Sequence, residues 1–428
     1  MFFQEDLLHF IWKYRLYDPE QLCCADGQPL RIVYAGQHNT DAGPDFLHAQ
    51  IRIGETLWAG NVEIHMRASD WIRHGHDHDR AYDNVILHVV YEHDGEICRT
   101  DGSGIAVFTL KNRVSDAFLL RYHQLLDAQQ RFIPCENAIS QVDEFHRRNW
   151  LERVAIERLT CRSEKVLDTV QRNKGDWEES TYQLLARNFG FHVNADPFEW
   201  LAASLPLKIL GRHNTQQIEA LLFGQAGMLT ADLADQYPAV LRKEYLFLQK
   251  KQKLDALPLH IWKFARMRPL NFPTLRIAQF SGFIARQPAV FQHMLSLKDP
   301  DQLAALFSGV KTAAYWNEHF RFDKTSLFQE KNIGIESANQ LLINTIAPVL
   351  FAYGRYTQKP QIVQQSIQLL EILPPENNKF IAGFVNLQVK PASAQDSQAL
   401  LQLKQAYCDK RKCLDCGIGN RILNNYRK

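Results

Sequence analysis

Two acids and a histidine, spaced across a short stretch of chain, carry the first chemical signal. Thr40-Asp41-Ala42-Gly43-Pro44-Asp45-Phe46 is followed by Gly60-Asn61-Val62-Glu63-Ile64-His65, and both run into β-like segments. A hairpin with its turn centred on Glu55 would set Asp45 opposite His65 and Leu47 opposite Glu63. Glu63 and His65 are two apart and share one face of their strand, and Asp45 joins them across the ladder. Paired carboxylates of this kind suit Mg²⁺ or Mn²⁺, which activate water and neutralise a transferring phosphate. Asp45, Glu63 and His65 are therefore the expected catalytic residues, with Asp45 and Glu63 as metal ligands.

A second donor-rich block follows at His74-Gly75-His76-Asp77-His78-Asp79, and eight of the 16 histidines fall between His38 and His93. Imidazoles and carboxylates at this density can hold Zn²⁺ or Fe²⁺, so His74 and His76 join the set as second-rank ligands. The spacing has no His-Glu-x-x-His pattern, and a polar, solvated loop is the plainer reading. His88 lies inside an apolar run and reads as a core histidine.

The third signal is Cys408-x4-Cys413-x2-Cys416, followed by Gly417 and Gly419. Three thiolates at this spacing point to zinc or to part of an iron–sulfur cluster, with reduced, unligated thiols as the alternative. A fourth ligand must come from elsewhere in the chain; Cys135 is the first choice and Cys161 the second. Arg266, Arg268 and Arg276 surround Asn271-Phe272-Pro273. Arginines interleaved with aromatics can hold phosphates and stack on bases of DNA or RNA, although interhelical bonding accounts for them equally well.

Elements that would position these residues are legible from periodicity. A helix is expected over Gln4–Leu16, then β-like segments at Leu30–Tyr34, Asp45–Ile53, Leu57–Arg67, Val85–Tyr91, Glu96–Arg99 and Ile105–Leu110. From Ser115 the period shifts towards 3.6 residues. Long helices are expected at Asp116–Phe132, Asp143–Arg172, Trp177–Phe189, Gln216–Phe223, Tyr237–Leu254, Thr274–Gln287, Ser337–Phe351 and Gln395–Tyr407. The expected fold class is α+β. A mixed α/β domain over residues 1–112 precedes a large all-helical body over 113–394 and a cysteine-bearing tail over 395–428.

The 428 residues, 46% of them hydrophobic, exclude a disordered or disulfide-stapled chain. No apolar run reaches the length of a spanning helix, and no cationic leader opens the chain, so a cytoplasmic location without membrane contact is expected. The formal net charge of +2 conceals a split. Residues 1–112 hold nine Lys and Arg against 17 Asp and Glu, while the remainder holds 40 against 30. An acidic front beside a basic remainder suits a cation site working near a polyanion. Glycine-rich phosphate loops, dinucleotide fingerprints and serine-nucleophile elbows do not occur, which weighs against ATP-driven, hydride-transfer and serine-hydrolase roles.

The front domain resembles the PD-(D/E)xK nuclease core, a helix followed by three strands with Pro-Asp opening the second and acid-x-Lys on the third. Pro44-Asp45 and Glu63-Ile64-His65 occupy those places. The resemblance implies a restriction-endonuclease-like fold, with metal held by Asp45, Glu63 and, from the preceding helix, Glu5. His65 departs from the family, since imidazole replaces a permanently charged lysine. Nearly the whole chain resembles the bacterial family called domain of unknown function 2851. That likeness rests on Ala42–Phe46, Gly60–His65, Ser69–His76, Asn84–Val90, Arg266–Pro273 and the cysteine tail. The expected function is a metal-dependent nuclease-like hydrolase of DNA or RNA. The alternatives are a non-catalytic binding module with a structural metal, or a Zn²⁺/Fe²⁺ hydrolase using the histidines. The oligomeric state stays open.

Overall fold

A computed structural model describes residues 5–126 and 131–424. By internal packing the chain forms two compact units, Met1–Trp150 with Lys404–Lys428, and Leu151–Leu403. The cysteine tail thus belongs with the sheet, and the first unit runs past residue 112 to include helix Asp116–Leu126. That helix is held by aromatic packing, with Phe118 stacked near Phe10 at 6.4 Å between ring centroids.

The first unit opens with α1 (Glu5–Lys13), whose Leu7, Leu8, Phe10, Ile11 and Trp12 are buried. The Trp12 indole donates to the Ala35 carbonyl at 3.0 Å and pins the helix to the strands. Gln4, the expected helix start, lies outside the described residues, as do residues 127–130 of the expected helix over 116–132. The strands are β1 (Leu30–Tyr34), β2 (Gln37–His38), β3 (Phe46–Ile53), β4 (Thr56–Arg67), β5 (Val85–Glu92) and β6 (Ala106–Thr109). They form one sheet in the order β1-β3-β4-β5-β6, with β2 on the edge of β3. The expected strand Glu96–Arg99 is absent among the described residues; only an isolated bridge from Cys98 to Gly104 stands there.

β3 and β4 are an antiparallel hairpin, but its register differs from the expected one. Ile53 pairs with Thr56, so the turn is the two-residue Gly54-Glu55, with Gly54 at φ 57° where glycine is favoured. Pairing then runs Ala49↔Gly60 and shifts to Phe46↔Val62 through a bulge at Leu47-His48, where His48 has φ 60°. The pairs Asp45–His65 and Leu47–Glu63 do not form. Continuing the shifted register brings Asp45 beside Glu63 instead.

β5 is parallel to both β4 and β6. Its residues Val85 to Val90 are all buried, including His88, as a strand covered on both faces requires. A parallel pair needs a crossover. Between β4 and β5 this is a compact path through α2 (Asp70–Arg73) and two single 3₁₀ turns, His76–His78 and Arg80–Tyr82.

The second unit is helical, with Trp177–Phe189 as expected and other helices shifted by a few residues at their ends. Among the described residues the expected all-helical body contains one exception, a small hairpin of His319–Arg321 and Lys324–Thr325. Short π turns interrupt two expected helices, at Leu342–Ile346 and at Leu403–Cys408. Among the described residues no helix is long and apolar enough to cross a membrane.

Candidate functional site

Asp45 sits at the mouth of β3, and Glu63 and His65 project from β4. Asp45 donates its backbone N–H to Glu63 Oε2 at 3.1 Å, and its own Oδ2 accepts the N–H of Ile64 at 2.9 Å. The bulge at His48 makes this possible, because it slides the start of β3 by one residue relative to β4. The two acids are therefore direct neighbours at one end of the hairpin.

The crossover supplies the remaining donors. α2 ends at His74, and the following 3₁₀ turn begins at His76, after Gly75 in the left-handed region at φ 77°. Trp71 is fully buried at the centre, edge-on to both His76 and His88. Tyr82 stacks on the other side of His76 with 3.7 Å between centroids. These packings turn what reads in sequence as a polar loop into a rigid wall.

The polar atoms converge. Glu63 Oε1 lies 3.4 Å from His76 Nε2 and 3.6 Å from His65 Nε2. His65 Nε2 is also 3.0 Å from His74 Nδ1 and 3.8 Å from Glu5 Oε1 on α1. One ligand nitrogen from each of His65, His74 and His76 falls within 4.8 Å of the others. His65 Nδ1 is 2.8 Å from His88 Nε2. With His88 as the acceptor, His65 carries its proton on Nδ1 and presents Nε2 bare to the cluster.

Burial is graded across the site. Glu63 and His65 are 5% and 2% exposed, while His74 is exposed and Glu5 and Asp45 are partly so. The cluster thus has a closed floor and an open side. Burial lifts the Glu63 carboxyl above its ordinary range and pushes the Glu5 carboxyl up to about 7. Burial, reinforced by neighbouring imidazoles, drives His65 down to about 2 and His88 down to about 3, so both are neutral. At His9 burial disfavours the charged form, but the Asp45 carboxylate at 3.2 Å outweighs it and raises the imidazole.

A buried carboxylate whose ionic partners are imidazoles rather than lysine or arginine has unmet negative charge. Three imidazole nitrogens beside it complete a donor set of the kind that fits a divalent transition metal. His65, His74 and His76 are the residues that could hold such an ion, with Glu63 beside His65 and His76, Glu5 beside His65, and Asp45 tied to Glu63. The carboxylate pair and the histidine block, separate signals in the sequence, form a single cluster. His9 and Tyr82 were missed by sequence reasoning. His9 had a signal, since it stands four residues after Glu5 on one helical face, whereas Tyr82 had none.

A cavity of about 620 Å³ begins at His9 and is lined by Lys13, Tyr14, His38, Lys410, Arg411 and Lys412, with Asp6 and Asp415 among the other residues. The remaining expected residues lie elsewhere. Arg276 is 5% exposed, bonded to Asn271, Gln279 and Ser337, and stacked over the Phe191 ring at 4.3 Å. It is a core residue of the second unit and cannot meet a phosphate. Arg266 and Arg268 are exposed on the irregular segment before it. Cys135, Cys413 and Cys416 are buried and Cys408 is partly so, all in the first unit, whereas Cys161 is exposed on the helix Glu144–Arg172.

A family model described as a protein of unknown function (DUF2851) matches residues 5–379. No curated protein and no solved structure matches.

Proposed function

The chain belongs to this family of unknown function, and from its site we propose that it is a divalent-metal-dependent hydrolase of nucleic-acid phosphodiester bonds. The observation that carries the reading is Glu63. One oxygen faces His65 and His76, and the other is tied to the strand end that bears Asp45. The imidazole-rich donor set favours Mn²⁺ or Zn²⁺ over Mg²⁺, because nitrogen ligands suit the later metals.

A metal held there supplies Lewis acidity and an activated water. The chain's residues do the positioning. His88 fixes the tautomer and plane of His65, the Trp71–Tyr82 wall sets His76, and exposed His74 stands where water and substrate enter. Support for a phosphodiester substrate comes from the cavity next to Asp45. Its Lys13, Lys410, Arg411 and Lys412 attract a polyanion, and Tyr14 offers a ring for a base. The order of elements agrees with the PD-(D/E)xK core: a helix, an antiparallel hairpin with Asp45 and Glu63-x-His65 at matching places, and a parallel strand after it. Eight unpaired cysteines suit a reducing compartment such as the cytoplasm.

The test is cleavage of single- and double-stranded DNA and RNA by purified protein with Mn²⁺, Zn²⁺ or Mg²⁺. Glu63→Gln should abolish cleavage, and Glu55→Gln in the exposed turn should not. Equal cleavage by wild type and Glu63→Gln sinks the reading. Tight, salt-sensitive binding without any metal-dependent cleavage would make the protein a binding module instead.

A further inference from the structure

The cavity of about 620 Å³ that begins at His9 is walled by α1 and the tail segment 410–415, both parts of the first unit. From α1 come Asp6, His9, Phe10 and Lys13, which share one face of the helix at steps of three and four residues. From the tail come Lys410, Arg411, Lys412 and Asp415. Consecutive turns fix that tail. The N–H of Asp409 donates to the Lys404 carbonyl at 2.8 Å, that of Arg411 to Cys408 at 3.1 Å and that of Lys412 to Tyr407 at 2.9 Å. Cys413 and Cys416, both buried, anchor the chain just beyond them. Three consecutive cations thus stand on a fixed knuckle of backbone, already placed for a ligand.

The charge of the lining is specific. Lys13, Lys410 and Lys412 form no ion pair with any described residue. Four cations against two carboxylates, Asp6 and Asp415, leave two positive charges in excess. His9 does not add to them, because the Asp45 carboxylate at 3.2 Å matches it. An excess of two discriminates between kinds of phosphate. A linkage inside a nucleic-acid strand carries a single negative charge. A phosphomonoester carries about −1.5 to −2 at pH 7 and offers three strong acceptor oxygens. Cations gathered in a cavity, instead of strung along a groove, suit one such group at a time. Beside them the exposed Tyr14 ring, 4.8 Å from that of Phe10, offers a face to the attached base.

We propose that this cavity binds the phosphomonoester of a nucleotide, and that its source is the phosphorylated end of a nucleic-acid strand. The phosphomonoester follows from the cavity alone; the strand end as its source rests on the hydrolase reading of the neighbouring cluster. Asp45 joins the two places. Its carboxylate meets His9 of the cavity, and its backbone N–H donates to Glu63 of the cluster at 3.1 Å. A strand anchored by its end presents one of its first linkages to the cluster, so cleavage proceeds from ends.

Titration calorimetry on the full chain tests this, in EDTA so that no metal-dependent cleavage occurs. The probes are single-stranded oligonucleotides of one sequence with a phosphate on the first nucleotide, on the last nucleotide or on neither end, and a mononucleotide. One phosphorylated oligonucleotide should bind roughly tenfold or more tighter than the hydroxyl-ended one, as a charge-assisted contact requires. Lys13→Gln combined with Lys412→Gln should erase that preference, whereas Lys324→Gln in the second unit should keep it. All three lysines are exposed, so the variants should fold, and their melting temperatures check that. Equal affinity for phosphorylated and hydroxyl ends, or a preference untouched by the double variant, would overturn the pocket. A mononucleotide that binds as tightly as the oligonucleotide would overturn the strand end as its source. End-phosphate binding by a protein that cleaves nothing with any metal would keep the pocket and sink the hydrolase reading. Cleavage indifferent to end chemistry would do the reverse.

Discussion

Glu63 and Asp45 hold each other in place through the backbone: Glu63 Oε2 accepts the Asp45 N–H at 3.1 Å, and Asp45 Oδ2 accepts the N–H of Ile64, next to Glu63, at 2.9 Å. Each carboxylate is thus oriented by the other's strand before any ligand arrives. Side chains pre-set in this way would lose little entropy on binding a cation.

The first prediction concerns metal linkage. A ligand that binds only the folded state stabilises it by about 2.7 kcal/mol when present at 100 times its Kd. Saturating Mn²⁺ should raise the melting temperature of wild type. Glu63→Gln keeps an acceptor for the Asp45 N–H but loses the charge, so it should fold and show no Mn²⁺-dependent rise. Calorimetric melting with Mn²⁺ and with EDTA checks this, and an unchanged rise in Glu63→Gln would remove Glu63 from the ligand set.

The second prediction separates a positioning residue from a ligand. His88 Nε2 lies 2.8 Å from His65 Nδ1 in a fully buried place. Replacing His88 by Leu removes the partner that holds His65, and losses of outer partners weaken metal binding by about 10- to 100-fold. His88→Leu should therefore bind Mn²⁺ more weakly in titration calorimetry, whereas His78→Leu, in the exposed part of the same loop, should not.

Much of this arrangement was legible in the residues. The alternation of β3, the unbroken apolar run of β5 and the nearness of Glu63 to His65 on one strand follow from side-chain period. The register was not legible, because it depends on whether the turn holds two residues or three and on a bulge at His48 that no local preference demands. His76 read as solvated because its burial comes from Trp71 and Tyr82, residues whose packing is decided by the crossover path. Arg276 was open between a phosphate contact and interhelical bonding, because the residues around it do not say which neighbours its helix meets. Only the folded helix places Gln279 and Ser337 around its guanidinium. Neighbourhood was readable where residues share one strand, and hidden where two distant segments meet.

Arg276 gives the third prediction. Its guanidinium bonds to Gln279 at 2.8 Å, Asn271 at 2.6 Å and Ser337 at 3.1 Å. Truncation to Ala strands those partners and leaves a cavity, at a cost of about 2–4 kcal/mol. Arg268→Ala, on the exposed segment, should stay within about 0.5 kcal/mol of wild type. Urea denaturation distinguishes them; equal stability of the two variants would contradict the core role of Arg276.

The last prediction concerns pH and Glu219. This carboxyl is 4% exposed, and its Oε1 accepts the Trp316 indole N–H at 2.7 Å. Burial raises its pKa above the ordinary glutamate value, and the Trp316 bond only partly opposes that. Below the ordinary value the group is protonated in both folded and unfolded chains, and its contribution to stability is complete. As pH rises from there towards the raised folded value, the unfolded chain releases a proton that the folded chain retains. The unfolded state then binds fewer protons, so stability falls with pH through that window and levels off above it. Glu219→Gln keeps an oxygen for Trp316 and carries no titratable proton. Its stability relative to wild type should therefore increase as pH is raised from about 4 to about 8, the span that brackets an upward-shifted glutamate. Glu219→Leu should be less stable than Glu219→Gln throughout, by roughly 1–3 kcal/mol, because the Trp316 N–H is left without its acceptor. Denaturant titrations of the three proteins at several pH values would expose a wrong assignment directly: a constant difference between wild type and Glu219→Gln would mean that Glu219 titrates alike in both states.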